Sequence, residues 1–268
     1  KEIMSSEIIE SVFLTPIPSS YRKELGKNAY IDNIGMQRLE WVVCARSSSG
    51  AEGISIANRL MREGTVESTL AYIKSALLGR EVDQLLEISE GVVTGAGPGM
   101  DRWYRRNGWM TILAFDLVGK VQGVSAIDLL GGPKHDLVPA YDTTLYFQDF
   151  LNPAKGAGQV ADEAYQAITD GWQAVKLKIG RGGRWMLPEA GMQRDIDVVL
   201  GVREAVGSDV KIYLDANFGY DNRFDLLDRF IKEVTPADIF WFEEMITHSI
   251  DGYKQMREIL SKYGSAAL

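Results

Sequence analysis

Cysteine and histidine are nearly missing from this chain of 268 residues: Cys44 is the one cysteine, and His135 and His248 are the two histidines. A single thiol excludes an internal disulfide framework and a cysteine-rich metal site, and it makes a reducing compartment the expected setting. Positive charge is also short, with 29 basic against 37 acidic residues and a net charge of -8. That field repels nucleic acid and anionic membrane surfaces, so neither is an expected partner. Long apolar runs are absent too. Lys1 to Glu10 lack the continuous apolar core of a signal peptide, and no stretch approaches the roughly 18 apolar residues of a membrane span. The expectation is a cytoplasmic protein. What is present, 46% hydrophobic and 25% charged residues, is the balance of a globular enzyme with a sizeable core.

The pattern along the chain changes near residue 131. Before it the order is mixed: an apolar segment at Ile8 to Leu14, a strand at Gln37 to Ala45, and a helix whose Val66, Leu70, Ile73 and Leu77 recur at helical spacing. A second helical segment is expected at Asp83 to Glu90, and an apolar segment runs from Trp109 to Val121 before the turn Gly131-Gly132-Pro133. This predicts an α+β domain over residues 1–132. Afterwards short β-like runs at Val138 to Tyr141, Val175 to Ile179, Lys211 to Leu214 and Ile239 to Phe242 alternate with helical patterns. Such alternation implies a parallel sheet, doubly wound or closed as a (β/α)8 barrel. A barrel takes about 250 residues, and roughly half that length follows Gly132. Residues 133–268 are therefore expected to be the first half of a barrel, with Ala266-Ala267-Leu268 opening a fifth strand and the folded protein containing more chain.

Strand periodicity puts Lys176 and Lys178 on one face of Val175 to Ile179, with the apolar residues on the other. In a barrel the apolar face meets the helices, so both lysines point inward. The same parity groups Tyr213, Asp215 and Asn217, and pairs Trp241 with Glu243. Asp215 and Glu243 thus project from the C-terminal ends of neighbouring strands, where barrel enzymes place their active sites. Hard carboxylate oxygens suit Mg²⁺. Two are too few, and a third acidic residue is expected at the end of the next strand, beyond Leu268. Such an ion could stabilise the dianion formed when the α-proton of a carboxylate leaves. A lysine would be the base, its pKa lowered by the second lysine and the metal.

The motifs Lys176-Leu177-Lys178, Asp215-Ala216-Asn217 and Trp241-Phe242-Glu243-Glu244 resemble, in order and spacing, the strand-end motifs of the mandelate racemase and muconate lactonizing branch of the enolase superfamily. Ala114 to Lys120 and Leu129-Leu130-Gly131-Gly132 are similar to the end of that family's N-terminal capping domain. The resemblance implies that Asp215 and Glu243 are Mg²⁺ ligands, Lys178 an acid/base, Lys176 its electrostatic support, and Asn217 a contact to substrate or ligand shell. It also implies that the N-terminal loops choose the substrate, which makes Leu14 to Arg22 and Ser47 to Gly53 specificity segments, with Tyr21, Arg22 and Glu52 polar enough to meet a polyol. Met245 departs from the family, which commonly has proline after Glu-Glu.

Other features are weighed beside these. Gly95-Ala96-Gly97-Pro98-Gly99 is expected to be a plain loop, because it lacks the βαβ setting of a dinucleotide site. His248 follows the fourth strand on the catalytic side and is a substrate-binding candidate. Arg181, Arg184 and Trp185 could bind a hydroxylated acid or pack their own glycine-rich loop. The expected activity is Mg²⁺-dependent removal of an α-proton from a small carboxylate, leading to dehydration of an acid sugar in a homo-oligomeric lyase. Racemisation, epimerisation or cycloisomerisation are the alternatives, and a non-catalytic binding or assembly relative is the alternative from another class.

Overall fold

A computed structural model describes residues 7–57 and 64–264. The chain divides into two compact units, one of residues 1–20 with 37–137 and one of residues 21–36 with 138–268. Each has its own core. Among the described residues no helix is long and apolar enough to cross a membrane.

In the first unit β1 (Ile9–Leu25), β2 (Gly35–Ser47) and β3 (Glu52–Ile56) form one sheet in that order. The strand β1 runs on into the second unit, and β2 begins there. Helix α1 (Val66–Leu77) starts at a capping box between Thr65 and Ser68 and buries Ile73 and Leu77. A hairpin of β4 (Leu86–Ser89) and β5 (Val92–Ala96) follows, then α2 (Asp101–Arg106), α3 (Trp109–Gln122) and α4 (Ala126–Leu129). Two sequence expectations are corrected here. Residues 83–90 are a short 3-10 turn and a strand rather than a helix, because Glu90 (φ 52°) and Gly91 (φ 81°) make a turn with both φ positive, the geometry that folds a tight hairpin. Leu14 to Arg22, read as a loop, lies within β1.

The second unit carries four parallel strands in sequential order, β6 (Asp142–Leu145), β7 (Ala174–Lys178), β8 (Lys211–Asp215) and β9 (Ile239–Glu243). They are separated by α5 (Ala157–Thr169), α6 (Pro188–Val206) and α7 (Phe224–Val234), and α8 (Ile250–Lys262) follows β9. This is a partial (β/α)8 barrel. The helices bury regular faces, such as Met192, Ile196, Val199 and Val202 of α6 and Leu227, Phe230, Ile231 and Val234 of α7. They pack on Val175, Leu177, Ile212, Leu214 and Phe242, the outward residues of the sheet. Full burial stabilises by about 1.5–3 kcal/mol for each large apolar side chain.

The first barrel strand starts at Asp142, not at Val138, which is 81% exposed. Ladder pairing decides this, since Asp142 lies opposite Val175 and Leu145 opposite Leu177, leaving Val138 to Tyr141 unpaired. The residues Ala266 to Leu268, where a fifth strand is expected, lie outside the described residues.

Tyr21–Met36 groups with the second unit, although its position in sequence suggests the first. The reason is local bonding: Lys27 bridges to Phe147, Gly26 N–H donates to Gln148 Oε1 at 2.6 Å, and Lys23 pairs with Glu163. Trp185 Nε1–H donates to the Asn28 carbonyl at 2.6 Å, and the centroid of the same ring lies 4.2 Å from Lys27 Nζ and 4.4 Å from Arg184 Cζ.

Candidate active site

Alternation along β7 sends Val175 and Leu177 into the helix layer, and the register of the sheet sets Lys176 opposite Tyr213, Lys178 opposite Asp215, and Asp215 opposite Glu243. Two ammonium groups and two carboxylates therefore meet at adjacent strand ends. Lys178 Nζ lies 2.5 Å from Asp215 Oδ2. Lys176 Nζ lies 3.2 Å from the same oxygen and donates to both oxygens of Glu243 at 3.0 and 3.1 Å. Both lysines and Asp215 are buried, and Glu243 is part-exposed.

Lys176 is held toward its ammonium form. Burial pushes its ammonium toward deprotonation, but the hydrogen bond to Glu243 and the attraction of Asp215 and Glu243 outweigh that and raise its pKa.

Asn217 stands two residues past Asp215 on left-handed backbone (φ 42°), followed by Phe218 (φ 66°). Its N–H donates to Asp215 Oδ1 at 3.0 Å, and its Nδ2 donates to Glu244 Oε2 at 3.0 Å. Its one side-chain oxygen, Asn217 Oδ1, is buried without a hydrogen-bond partner. The carboxylates of Asp215 and Glu243 are hard-oxygen donors of the kind that fits Mg²⁺, and the buried, unpartnered Asn217 Oδ1 is a third hard oxygen at the end of β8. Among the described residues no group of three or more His, Cys, Asp or Glu side chains that could hold an ion is gathered.

Three residues at the site have no role assigned from the sequence, Glu244 among them standing within the Glu-Glu motif. Tyr146, just past β6, holds its ring 5.5 Å from Lys178 Nζ, and Tyr141 holds its ring 5.6 Å from Lys176 Nζ. Burial raises the Tyr146 hydroxyl's pKa, and nearby Tyr21 and Asp215 push it further in that direction. The third residue is Glu244, which links Asn217 to His248. Alternation past Leu145 was the available signal for Tyr146, obscured by the misplacement of the strand.

Of the other sequence candidates, Tyr21 lies within electrostatic reach of Tyr146, whereas Arg22 is exposed on β1. His248 is exposed, contacts the Tyr253 hydroxyl through Nδ1, lies 3.8 Å from Glu244 through Nε2, and meets Phe218 edge-on. With Glu243, Glu244 and Arg257 it lines a cavity of about 480 Å³ beside the end of β9. Glu52 pairs with Arg46 across the turn between β2 and β3.

Arg181 belongs to its loop rather than to a substrate surface. It is fully buried, bonding Asp149 (2.6 Å) and Asp195 (2.7 Å). Burial alone would lower its pKa, and the attraction of these two carboxylates reverses that and raises it. Arg184 likewise donates to the Tyr30 carbonyl and stacks on Trp185. Met245, in the place of the expected proline, is buried, and its carbonyl accepts from Tyr220 N–H at 3.2 Å.

Residues 159–263 match the family model described as Enolase C-terminal domain-like. D-galactarolactone cycloisomerase of Agrobacterium fabrum is 32% identical over 149 residues, which are 54% of this chain and 35% of that protein. Among solved structures, galacturonate dehydratase from a Geobacillus species, complexed with D-galacturonate and 5-keto-4-deoxy-D-galacturonate, superposes with a TM-score of 0.79 at 26% identity, over 99% of this chain and 66% of that one. A mandelate racemase/muconate lactonizing protein from Geobacillus sp. Y412MC10, complexed with magnesium and tartrate, superposes with a TM-score of 0.80 at 24% identity, over 99% and 65%. The match thus spans about a third of the curated relative and just under two thirds of the superposed structures.

Proposed function

We propose that the chain is a member of the enolase superfamily, in its mandelate racemase and muconate lactonizing branch, a reading its matches support, and that it serves Mg²⁺-dependent abstraction of the proton α to a carboxylate, with an acid sugar as substrate and dehydration as outcome. The observation that carries the reading is the run of alternating charge Lys178, Asp215, Lys176, Glu243 across three strand ends.

In this reading Asp215 and Glu243 hold the ion, and Asn217 Oδ1 turns to its ligand shell or to substrate. The chemistry Mg²⁺ contributes when bound is charge, offsetting the second negative charge a carboxylate gains as its α-proton leaves. Lys178, as the neutral amine once its bond to Asp215 is given up, takes the proton. Lys176 keeps an ammonium beside the developing charge. The electron pair of the C–H bond moves into the carboxylate, its return expels the β-hydroxyl, which leaves as water with the proton Lys178 has taken up, and the resulting enol becomes a 2-keto-3-deoxy acid by tautomerisation. Tyr21 and Tyr146 supply hydroxyls suited to a polyol, and the likeness to a galacturonate dehydratase favours the same outcome.

Cycloisomerisation shares the proton abstraction and is the second reading, supported by the 32% identity to a galactarolactone cycloisomerase. The test is incubation of aldonic and aldaric acids with the full-length protein and Mg²⁺ in D₂O. A 2-keto product means dehydration, whereas α-deuterium with inverted configuration means racemisation or epimerisation. Lys178→Ala should abolish exchange of the α-proton facing that strand. Full exchange in that variant removes Lys178 as the base. No turnover of any acid, together with no metal binding, would favour a binding protein whose strand-end charges are a structural ion network.

A further inference from the structure

Lys178 and Asp215 sit opposite each other on paired strands, and just past the strand ends the geometry around them depends on how the loop after β7 is held against the loop after β8. One side chain from neither strand bonds to both. Asp195, fully buried on α6, accepts through Oδ2 from Gly180 N–H (2.7 Å) and Arg181 N–H (3.3 Å), and from the Tyr220 hydroxyl (2.9 Å) in the loop after β8. Its Oδ1 accepts from Arg181 at 2.7 Å.

We propose that Asp195 is a positioning residue for the active site: through Gly180 and Tyr220 it locks the two strand-end loops together and so fixes Asp215 and Asn217 relative to Lys178. The inference rests on the functional reading above. Left-handed backbone at two successive non-glycine residues, Asn217 and Phe218, persists only where its surroundings over-determine it. Those surroundings are two backbone bonds to the loop after β9, from Phe218 N–H to the Glu244 carbonyl (2.6 Å) and from Tyr220 N–H to the Met245 carbonyl (3.2 Å), and the tether from Tyr220 to Asp195. The turn so held presents the Asn217 N–H that bonds Asp215 Oδ1. Loosening the tether therefore reaches a candidate metal ligand through the short turn from Tyr220 back to the Asn217 N–H.

Tyr220→Phe in the full-length protein removes the hydroxyl and keeps the ring against Phe230, at 5.2 Å between centroids. Phe230→Leu thins the same packing and leaves the tether intact, so it serves as the control. A lost hydrogen bond to a charged group corresponds to a factor of about ten. In Tyr220→Phe, Mn²⁺ affinity by electron paramagnetic resonance should fall about ten-fold, kcat for α-proton exchange should fall about ten-fold with KM changed less than about two-fold, and amide exchange over residues 216–219 should quicken about ten-fold. Phe230→Leu should lower Tm without these changes. Wild-type values of all three in Tyr220→Phe, or equal changes in Phe230→Leu, overturn the inference. If the wild-type protein neither binds Mn²⁺ nor exchanges any α-proton, the functional reading has failed, and amide exchange alone then decides whether the tether locks the loop.

Discussion

Lys176 reaches across an entire strand, from β7 over β8, to bond both oxygens of Glu243 on β9. Strands in a flat sheet lie about 4.8 Å apart, which would separate the two backbones by about 10 Å. Two long side chains growing inward from a curling sheet close that gap. The curvature of the barrel is thus what turns three separate strand ends into one electrostatic unit.

That unit makes metal binding testable on its own. Asp215→Asn keeps the size of the side chain and removes its charge, so Mg²⁺ affinity measured by calorimetry should fall by at least about ten-fold. In the wild-type protein Mg²⁺ at about 100 times its Kd should stabilise by about 2.7 kcal/mol, and chelation should reverse the gain. Unchanged Mg²⁺ binding in Asp215→Asn would take that residue out of the site.

The loops after β7 and β8 touch at their glycines. A Cβ on Gly219 would sit 2.4 Å from the Gly180 Cα, and Gly180 itself has φ +94°. Gly219→Ala should therefore destabilise by about 1–3 kcal/mol through overpacking against backbone that cannot move aside. The comparison is Gly158→Ala in α5, where a Cβ meets nothing within 4 Å and the change should be neutral or stabilising by up to about 1 kcal/mol. Urea midpoints compare the two, and equal effects would refute the contact.

Arg181→Leu leaves Asp149 and Asp195 buried without their shared guanidinium. A loss of about 3–5 kcal/mol is expected from breaking such a pair on one side. A denaturant-measured loss under about 1 kcal/mol would mean that water or a proton replaces the arginine at little cost.

At the start of α7 a hydrogen bond from Arg223, with its charge, holds the Asp225 carboxyl at about 2, against an ordinary value of 3.8. Because the folded value is the lower one, this pair's contribution to stability is present above about pH 4 and disappears as pH falls through about 2. Titration of the Asp225 carboxyl by NMR should show the low midpoint, moving up toward the ordinary value in Arg223→Ala. A wild-type midpoint near 4 would contradict the pairing.

The sequence made the inner strands legible because β7, β8 and β9 alternate cleanly and carry their polar residues at fixed parity. The first barrel strand was shifted because Leu137 and Val138 are apolar yet 87% and 81% exposed, and hydrophobicity alone does not reveal which residues pair. The hairpin of β4 and β5 was hidden for a related reason: Leu85, Leu86 and Ile88 also satisfy helical spacing, and the turn at Glu90 and Gly91 decides between them. Lys176, Lys178, Asp215 and Glu243 could be grouped from parity. Nothing in the sequence joins Arg181 to Asp149 and Asp195, which come from different loops and helices and meet only in three dimensions.

The segment Tyr21–Met36 has a consequence for how the chain is made. Its partners Phe147, Glu163 and Trp185 are translated more than a hundred residues later. At ribosomal speed that is a wait on the order of ten seconds, during which Leu25 and Ala29 have no barrel to bury against. Any fragment that begins at Val138 would lack this piece altogether, so an expression strategy that cuts the chain between its two halves should yield a barrel segment with an uncovered seam, prone to aggregation at low yield.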